Sequence, residues 1–375
     1  MPATSRPKDR KATIVEAAAD LFAERGFAAV GIDDIGARVG VTGPAIYRHF
    51  RGKDAVLLAV LERASSTLAD AVEGGDAVRA AVGFVLDQPA LTATYLRERP
   101  GLPRDDAAPL RAAERRTRKA WSGALAALRP DLDELHSVVR QYAIVGALTT
   151  GAREHRDVVR PRLDDLLVAA ALGVAAAPVA DRVEPVGTAA WKPPTAKRDE
   201  ILSVALTLFR ARGVSGVGID EIGAAAGISG PTVYHYFPSK AAIVTDAYDR
   251  TGERVVVGVE EALRGARSAS DAVDRLVRSY VSVANENVDL IIVTSREGDA
   301  LPEGERPRLS RRRRTVRDGW TGALREVRPD LADAEARLLV RCVFPLVNHA
   351  VAAAEGHAGM EEEIVGLVHA HLLSK

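Results

Sequence analysis

Two segments of the chain set the same donors at the same spacing. Thr42, Tyr47 and Lys53 in the first return as Ser229, Tyr234 and Lys240 in the second, each 187 positions on. Hydroxyl, phenol and ammonium groups are donors suited to phosphate oxygens. The parts of an enzyme are missing by contrast: there is no Gly-rich phosphate loop, HExxH helix or nucleophile elbow. His155-Arg156-Asp157 imitates a kinase catalytic loop without the strands or the Gly-rich loop that would give it meaning. His369 and His371 lie two apart on a predicted helix, on different faces, which argues against a metal pair. The lone Cys342 sits in the apolar run Leu338 to Val347 and reads as a buried, inert thiol. The expectation is a binding protein with no catalytic residue, no metal and no cofactor.

The repeated donors stand in repeated elements. Apolar residues recur at helical spacing in Ile14, Ala17, Ala18, Leu21, Phe22 and again in Ile201, Val204, Ala205, Leu208, Phe209. Each of these first helices is expected to stop at a glycine, Gly26 or Gly213. Second helices are predicted over 32–39 and 219–226, and third helices over 43–49 and 230–236. Gly40 and Gly227 permit the reversal between them, and the hydroxyls of Thr42 and Ser229 are placed to cap the third helix. Tyr47 with Phe50, and Tyr234 with Phe237, should pin that helix to the other two. The result is two helix-turn-helix units.

Longer helices follow each unit, and the repeat continues through them. Trp121-Ser122-Gly123-Ala124-Leu125 matches Trp320-Thr321-Gly322-Ala323-Leu324 and Arg129-Pro130-Asp131-Leu132 matches Arg328-Pro329-Asp330-Leu331, here 199 positions apart. A chain of 375 residues suits two such halves. Pro178, Pro185, Pro193 and Pro194 mark a linker between them. With no strand-period segment, the fold class is all-α: two tandem modules, each a helix-turn-helix domain followed by a helical effector and dimerisation domain. The expected domains are 1–52, 53–175, a linker at 176–196, 197–239 and 240–375.

Hydrophobic residues make up 47% of the chain, charged residues 27%, and the formal net charge is zero. That balance suits a soluble protein and argues against one that coats nucleic acid indiscriminately. No apolar run approaches the roughly 20 residues that span a bilayer, and residues 1–11 have no apolar signal region. A cytoplasmic protein with no membrane partner is expected.

Val41 to Phe50 with Gly52-Lys53, and more cleanly Ile228 to Phe237 with Ser239-Lys240, resemble the DNA-binding signature of TetR-family transcriptional regulators. The resemblance implies double-stranded operator DNA as partner. Phosphate contacts position a recognition helix in the major groove while side chains near its start read base edges. Thr42 and Ser229 are expected to reach phosphate, Tyr47 and Tyr234 to pack inward while their hydroxyls donate to phosphate, and Lys53 and Lys240 to meet the backbone as point charges. By resemblance Gly43, Pro44, Ala45 and His49, and Gly230, Pro231, Thr232 and Tyr236, face the groove, with Arg48 and His235 beside them. Lys8, Arg10, Lys197 and Arg198 supply arm cations. The chain departs from the family where Gly31 and Gly218 replace the Ser or Thr that usually opens the second helix, so a phosphate contact is lost in both copies.

In the family, two protomers pair through their last long helices and a cavity in the C-terminal domain takes a small effector. Here both partners lie in one chain, which implies an intramolecular pseudo-dimer with reading heads about 34–36 Å apart, one turn of DNA. Ala45, Arg48 and His49 stand against Thr232, His235 and Tyr236, so the two heads offer different surfaces to base edges. An asymmetric operator and a ligand-released repressor are expected. The Ala-, Val- and Leu-rich effector parts suggest an apolar ligand, lipid- or sterol-derived or an acyl-CoA; Arg311 to Arg314 and Arg115, Arg116, Arg118 and Lys119 read first as solvated helix faces and, as the alternative, as partners for the phosphates of an acyl-CoA. Candidate ligand residues are Tyr95, Arg97, Trp121, Tyr142, Arg296, Trp320 and Phe344. The rival reading is a ligand- or partner-binding helical protein whose helix-turn-helix units have lost DNA.

Overall fold

The computed structural model describes residues 7–99, 108–153, 157–180, 196–214, 216–296, 306–357 and 359–374, and every regular element among them is a helix. His155-Arg156 and most of the linker lie outside the described residues. The chain forms two compact units, Met1–Pro130 and Asp131–Lys375.

The first unit holds α1 (Pro7–Arg25), α2 (Ile32–Arg38), α3 (Gly43–Ile46), α4 (Lys53–Glu73), α5 (Ala77–Asp87), α6 (Pro89–Glu98) and α7 (Ala108–Leu128). Its helix-turn-helix domain closes over Ile14, Ala18, Phe22, Ile35 and Ile46, none of them exposed to solvent. The long α4 leads out of that domain and packs along α7, while α6 returns to lie on α1. α1 stops at Gly26, whose φ of 82° costs a residue with a Cβ far more than glycine.

The second unit repeats this plan in α10 (Lys197–Arg212), α11 (Ile219–Ala225), α12 (Gly230–Val233), α13 (Lys240–Gly265), α14 (Ala269–Glu286), α15 (Val288–Arg296) and α16 (Arg306–Val327). It also contains a bundle of α8 (Glu134–Arg153), α9 (Arg160–Ala176), α17 (Asp333–Ala353) and α18 (Glu361–Leu373). α8 lies along α17 and α9 along α18, so the last two helices of the first sequence half pack on the last two of the second. α17 is the one described helix long and apolar enough to cross a bilayer, and 56% of its most apolar stretch is buried inside the protein. Cys342, on α17, is buried.

Charge is buried in this bundle. Arg140 of α8 and Glu363 of α18 are 0% and 2% exposed and meet at 2.6 Å. Arg140 also donates to the Val174 carbonyl at 3.1 Å, and Glu363 accepts from the Ala180 amide at 2.9 Å, where the chain leaves α9. A buried ion pair is tolerated when further hydrogen bonds support it, and the Val174 carbonyl and the Ala180 amide supply two here.

His371 of α18 is wholly buried, with Nε2 3.1 Å from the Leu339 carbonyl, and burial pushes its pKa down to about 4. Unfolded imidazole titrates near 6.5, so below that pH the unfolded chain takes up a proton that the fold refuses. Stability is therefore full above about pH 6.5 and falls as pH drops toward 4, by about 3 kcal/mol in all. Urea unfolding at pH 7 and pH 5 should show the loss, and His371→Leu should flatten it. An equal slope in the variant would place its cause elsewhere.

Candidate nucleic-acid interface

Each turn between second and third helix is held by close backbone approach. A Cβ on Gly36 would fall 2.8 Å from the Val41 carbonyl oxygen, and one on Gly223 2.8 Å from the Gly230 nitrogen. The third helices are shorter than the sequence predicts, a single turn at Gly43–Ile46 and Gly230–Val233. Beyond that turn, bonds such as His49 N–H to the Ile46 carbonyl and Tyr236 N–H to the Val233 carbonyl are i→i+3, so the last turn tightens instead of continuing as α-helix. Thr42 and Ser229 make no side-chain cap bond, against expectation; the Ser229 hydroxyl is 2.7 Å from that of Thr232. Both hydroxyls are left on the exposed face. At Gly31 and Gly218 the second helices are capped from the other side: Asp34 and Glu221 carboxylates accept the glycine N–H at 2.7 and 2.8 Å.

The tyrosines do not pack inward as expected. Tyr47 is 57% exposed and Tyr234 54%, while Phe50 and Phe237 fill the core beneath them. Solvent-facing aromatics at matching places in both copies leave their hydroxyls available to a ligand. Pro44, Arg48, Pro231 and His235 are exposed, and Ala45, His49, Thr232 and Tyr236 half-buried, so these residues line one surface per unit. Gly43 and Gly230 are not on it. They are buried, and an added Cβ would fall 2.0 Å from Asp33 Oδ1 or 1.8 Å from Asp220 Oδ1.

The expected phosphate lysines have other partners. Lys53 Nζ donates to the Phe27 carbonyl at 2.8 Å and sits 4.2 Å over the Phe27 ring. Lys240 Nζ donates to the Val214 and Val217 carbonyls at 2.7 and 2.8 Å. These ammonium groups tie the start of the long helix to the loop after the first. Lys240→Met should therefore cost about 1.5–3 kcal/mol of stability, the range for hydrogen bonds from charged donors. A thermal melt checks this, and a variant that melts like the parent would return Lys240 to the DNA-contact list.

The arm cations are similarly engaged. Arg198 donates to the Tyr236 carbonyl, pairs with Asp246 at 3.0 Å and stacks 4.1 Å from Phe237. Lys197 reaches Glu200 and the Ala226 carbonyl. In the first copy Lys11 lies 5.4 Å over Phe50, Arg10 is half-buried, and the Lys8 side chain lies outside the described residues. Cation over phenylalanine recurs because Lys11 and Arg198, like Phe50 and Phe237, occupy equivalent places in the repeat.

The candidate ligand residues divide. Arg97 is a helix cap: its Nη2 lies 2.7 Å from the Phe22 and Ala23 carbonyls at the end of α1, beside a Thr94 hydroxyl bond to Ala19. Tyr95 donates to Glu114 at 2.7 Å, and Glu114 is paired with Arg99. Tyr142 is 44% exposed. Phe344 packs 4.9 Å from Tyr280 and 5.7 Å from Trp320. Trp121 and Trp320 are buried at 1% and 2%, and neither indole N–H finds an acceptor among the described residues. The Arg296 side chain lies outside them. Of the arginine clusters, Arg115, Arg116 and Lys119 line an open groove of about 600 Å³, but Arg116 is held by Asp70 and Glu73. Arg312 reaches the Asp249 carbonyl.

Sequence reasoning missed how the second copy joins its helix-turn-helix to the helices beyond. There Arg210 of α10 pairs with Asp289 at 2.7 Å and with Glu355, and Thr207 donates to Asp289. The first copy reaches across with Arg97 from α6 instead. Arg210 corresponds to Ala23, so its pairs have no equivalent in the first copy.

The model of the N-terminal domain of bacterial regulatory proteins of the TetR family matches twice, at residues 14–60 and 201–247. The transcriptional activator FasR of Mycolicibacterium smegmatis is 40% identical over 67 residues, 18% of this chain and 31% of that protein. The transcriptional repressor Rv3405c of Mycobacterium tuberculosis is 45% identical over 73 residues, 18% of this chain and 39% of that one. The chain thus spans about a third of the length of these relatives. A solved TetR-family regulator from Bordetella parapertussis is 25% identical with a TM-score of 0.44, over 47% of this chain and 94% of its own. The matches fall on both helix-turn-helix units described above, so the chain carries two N-terminal domains of the kind found in bacterial regulatory proteins of the TetR family.

Proposed function

We propose that this protein is a cytoplasmic, sequence-specific transcriptional regulator that binds operator DNA as a single-chain pseudo-dimer and is released by a small effector. The observation that carries the reading is the pair of exposed tyrosines, Tyr47 and Tyr234, each standing over a buried phenylalanine on the surface that also offers residues 44–49 or 231–236. The α8, α9, α17 and α18 bundle supports pairing within one chain, because helices from both halves share one core. The linker keeps the halves at high effective concentration.

The operator is asymmetric in this reading. Arg48 presents a fork suited to guanine, whereas His235 in its place presents an imidazole, and His49 answers to Tyr236. Footprinting on the DNA upstream of the gene should resolve two unlike half-sites, with binding that weakens steeply as salt rises. A perfect inverted repeat protected equally by both heads would reject the asymmetry; no retardation of any upstream fragment would reject the regulator.

The effector is proposed to be largely apolar with an acceptor oxygen. Trp121 and Trp320 occupy equivalent positions of the repeat, and each buries an indole N–H that lacks an acceptor among the described residues. A buried donor left unpaired costs about 1–3 kcal/mol, which a bound carbonyl or carboxylate would recover. A thermal-shift screen of acyl and sterol compounds identifies such a ligand by the stability it adds.

A further inference from the structure

The bundle faces are written to fit each other and not themselves. Gly146 of α8 and Pro345 of α17 occupy the same position of the repeat, 199 residues apart, and they meet where the two helices cross. A Cβ on Gly146 would fall 2.5 Å from the Pro345 carbonyl oxygen. The other crossing has the same form. The buried series Leu163, Leu166, Leu167, Val174 of α9 aligns with Met360 at the N-cap of α18 and Glu363, Ile364, His371 within it, which sets Gly173 opposite its own counterpart, Ala370. A Cβ on Gly173 would fall 2.5 Å from the Ala370 carbonyl oxygen. At both crossings the glycine is on the first half, and the residue with a Cβ on the second.

Charge is distributed with the same bias. Arg140 corresponds to Leu339 and Glu363 to Leu166, so each of these two buried charges has its partner only on the other half. We infer that the α8–α9 face selects the α17–α18 face and refuses a second copy of itself, while the α17–α18 face is barred from self-pairing. A pair of α8–α9 faces would leave Arg140 buried against Leu166 with no carboxylate, an uncompensated buried charge. A pair of α17–α18 faces would strand Glu363 against Leu339 and drive the Cβ atoms of Pro345 and Ala370 into backbone oxygens. Such use of steric and electrostatic conflict against wrong partners is how specific helical interfaces discriminate. The inference rests on the fused-pair reading above and adds to it that the halves of this protein are no longer interchangeable.

The test uses the full chain with a protease site placed between residues 181 and 195, cut after folding. The cut protein is passed through mild urea to allow exchange, and its complexes are weighed by native mass spectrometry. Only complexes of one N-terminal and one C-terminal fragment are expected. In Arg140→Leu/Glu363→Leu the N-terminal fragment should also pair with itself, since glycine then faces glycine at both crossings, while the C-terminal fragment should still form no pair. Self-paired fragments of either kind from the unsubstituted protein would overturn the selectivity while leaving the fused pair standing. A double variant that yields only unlike pairs would overturn its assignment to the ion pair. Fragments that separate on cutting would remove the fused pair and the selectivity together.

Discussion

Arg140→Leu should destabilise the second unit by about 3–5 kcal/mol, the usual penalty for leaving one partner of a buried ion pair without the other. Glu363 would remain at 2% exposure with the Ala180 amide as the donor that holds it, too little to replace a guanidinium. Replacing both partners behaves differently. Arg140→Leu/Glu363→Leu removes the two desolvation costs together with the attraction, and such exchanges are often neutral or stabilising by about 1–4 kcal/mol. Urea midpoints of the parent, both single variants and the double form a cycle whose coupling should be several kcal/mol. Additive single effects would show that the two groups act separately and that the pair contributes nothing as a pair.

Tyr47→Phe and Tyr234→Phe should each weaken operator binding about ten- to hundredfold with no change in melting temperature. The phenol of each is exposed, so its hydroxyl makes no demand on the fold, and a hydrogen bond to a charged phosphate contributes about 1.5–3 kcal/mol. Because an uncharged donor releases no counterion, the salt dependence of binding should keep its slope in both variants, whereas Arg48→Ala should lower that slope by about one. Retardation titrations at several salt concentrations separate these effects. Unchanged affinity in both phenylalanine variants would remove the tyrosines from the interface and, with them, the main support for the proposed reading heads. A fall confined to one variant would mean that one head carries the binding.

The helices were legible because their periodicity is local: Ile14 to Phe22 and Ile201 to Phe209 declare one buried face each, and Gly26 and Gly213 mark where it ends. The repeat and its signature were legible for the same reason, and they carry the family. What sequence could not assign was the direction of a side chain between two uses it serves equally well. Lys53 and Lys240 suit phosphate as well as a carbonyl, and only packing reveals that the Phe27 and Val214 carbonyls stand within reach. Tyr47 could have been core or surface, because Phe50 three residues on competes for the same space and wins it. Arg97 reads as an interhelical ion-pair cation or a ligand anchor until α6 folds back over the end of α1.

The sequence by itself determined two all-helical modules, the places of both helix-turn-helix units and the unlike residues at matching positions within them, all of which follow from spacing along one chain. Only the tertiary structure decided which of the donors are spent on the fold and that Arg140 finds Glu363 across 223 positions. It also decided that Gly146 meets its own counterpart Pro345. Those are contacts between segments distant in sequence, and burial, which makes an unpaired charge or a misplaced Cβ costly, exists only once the helices have packed.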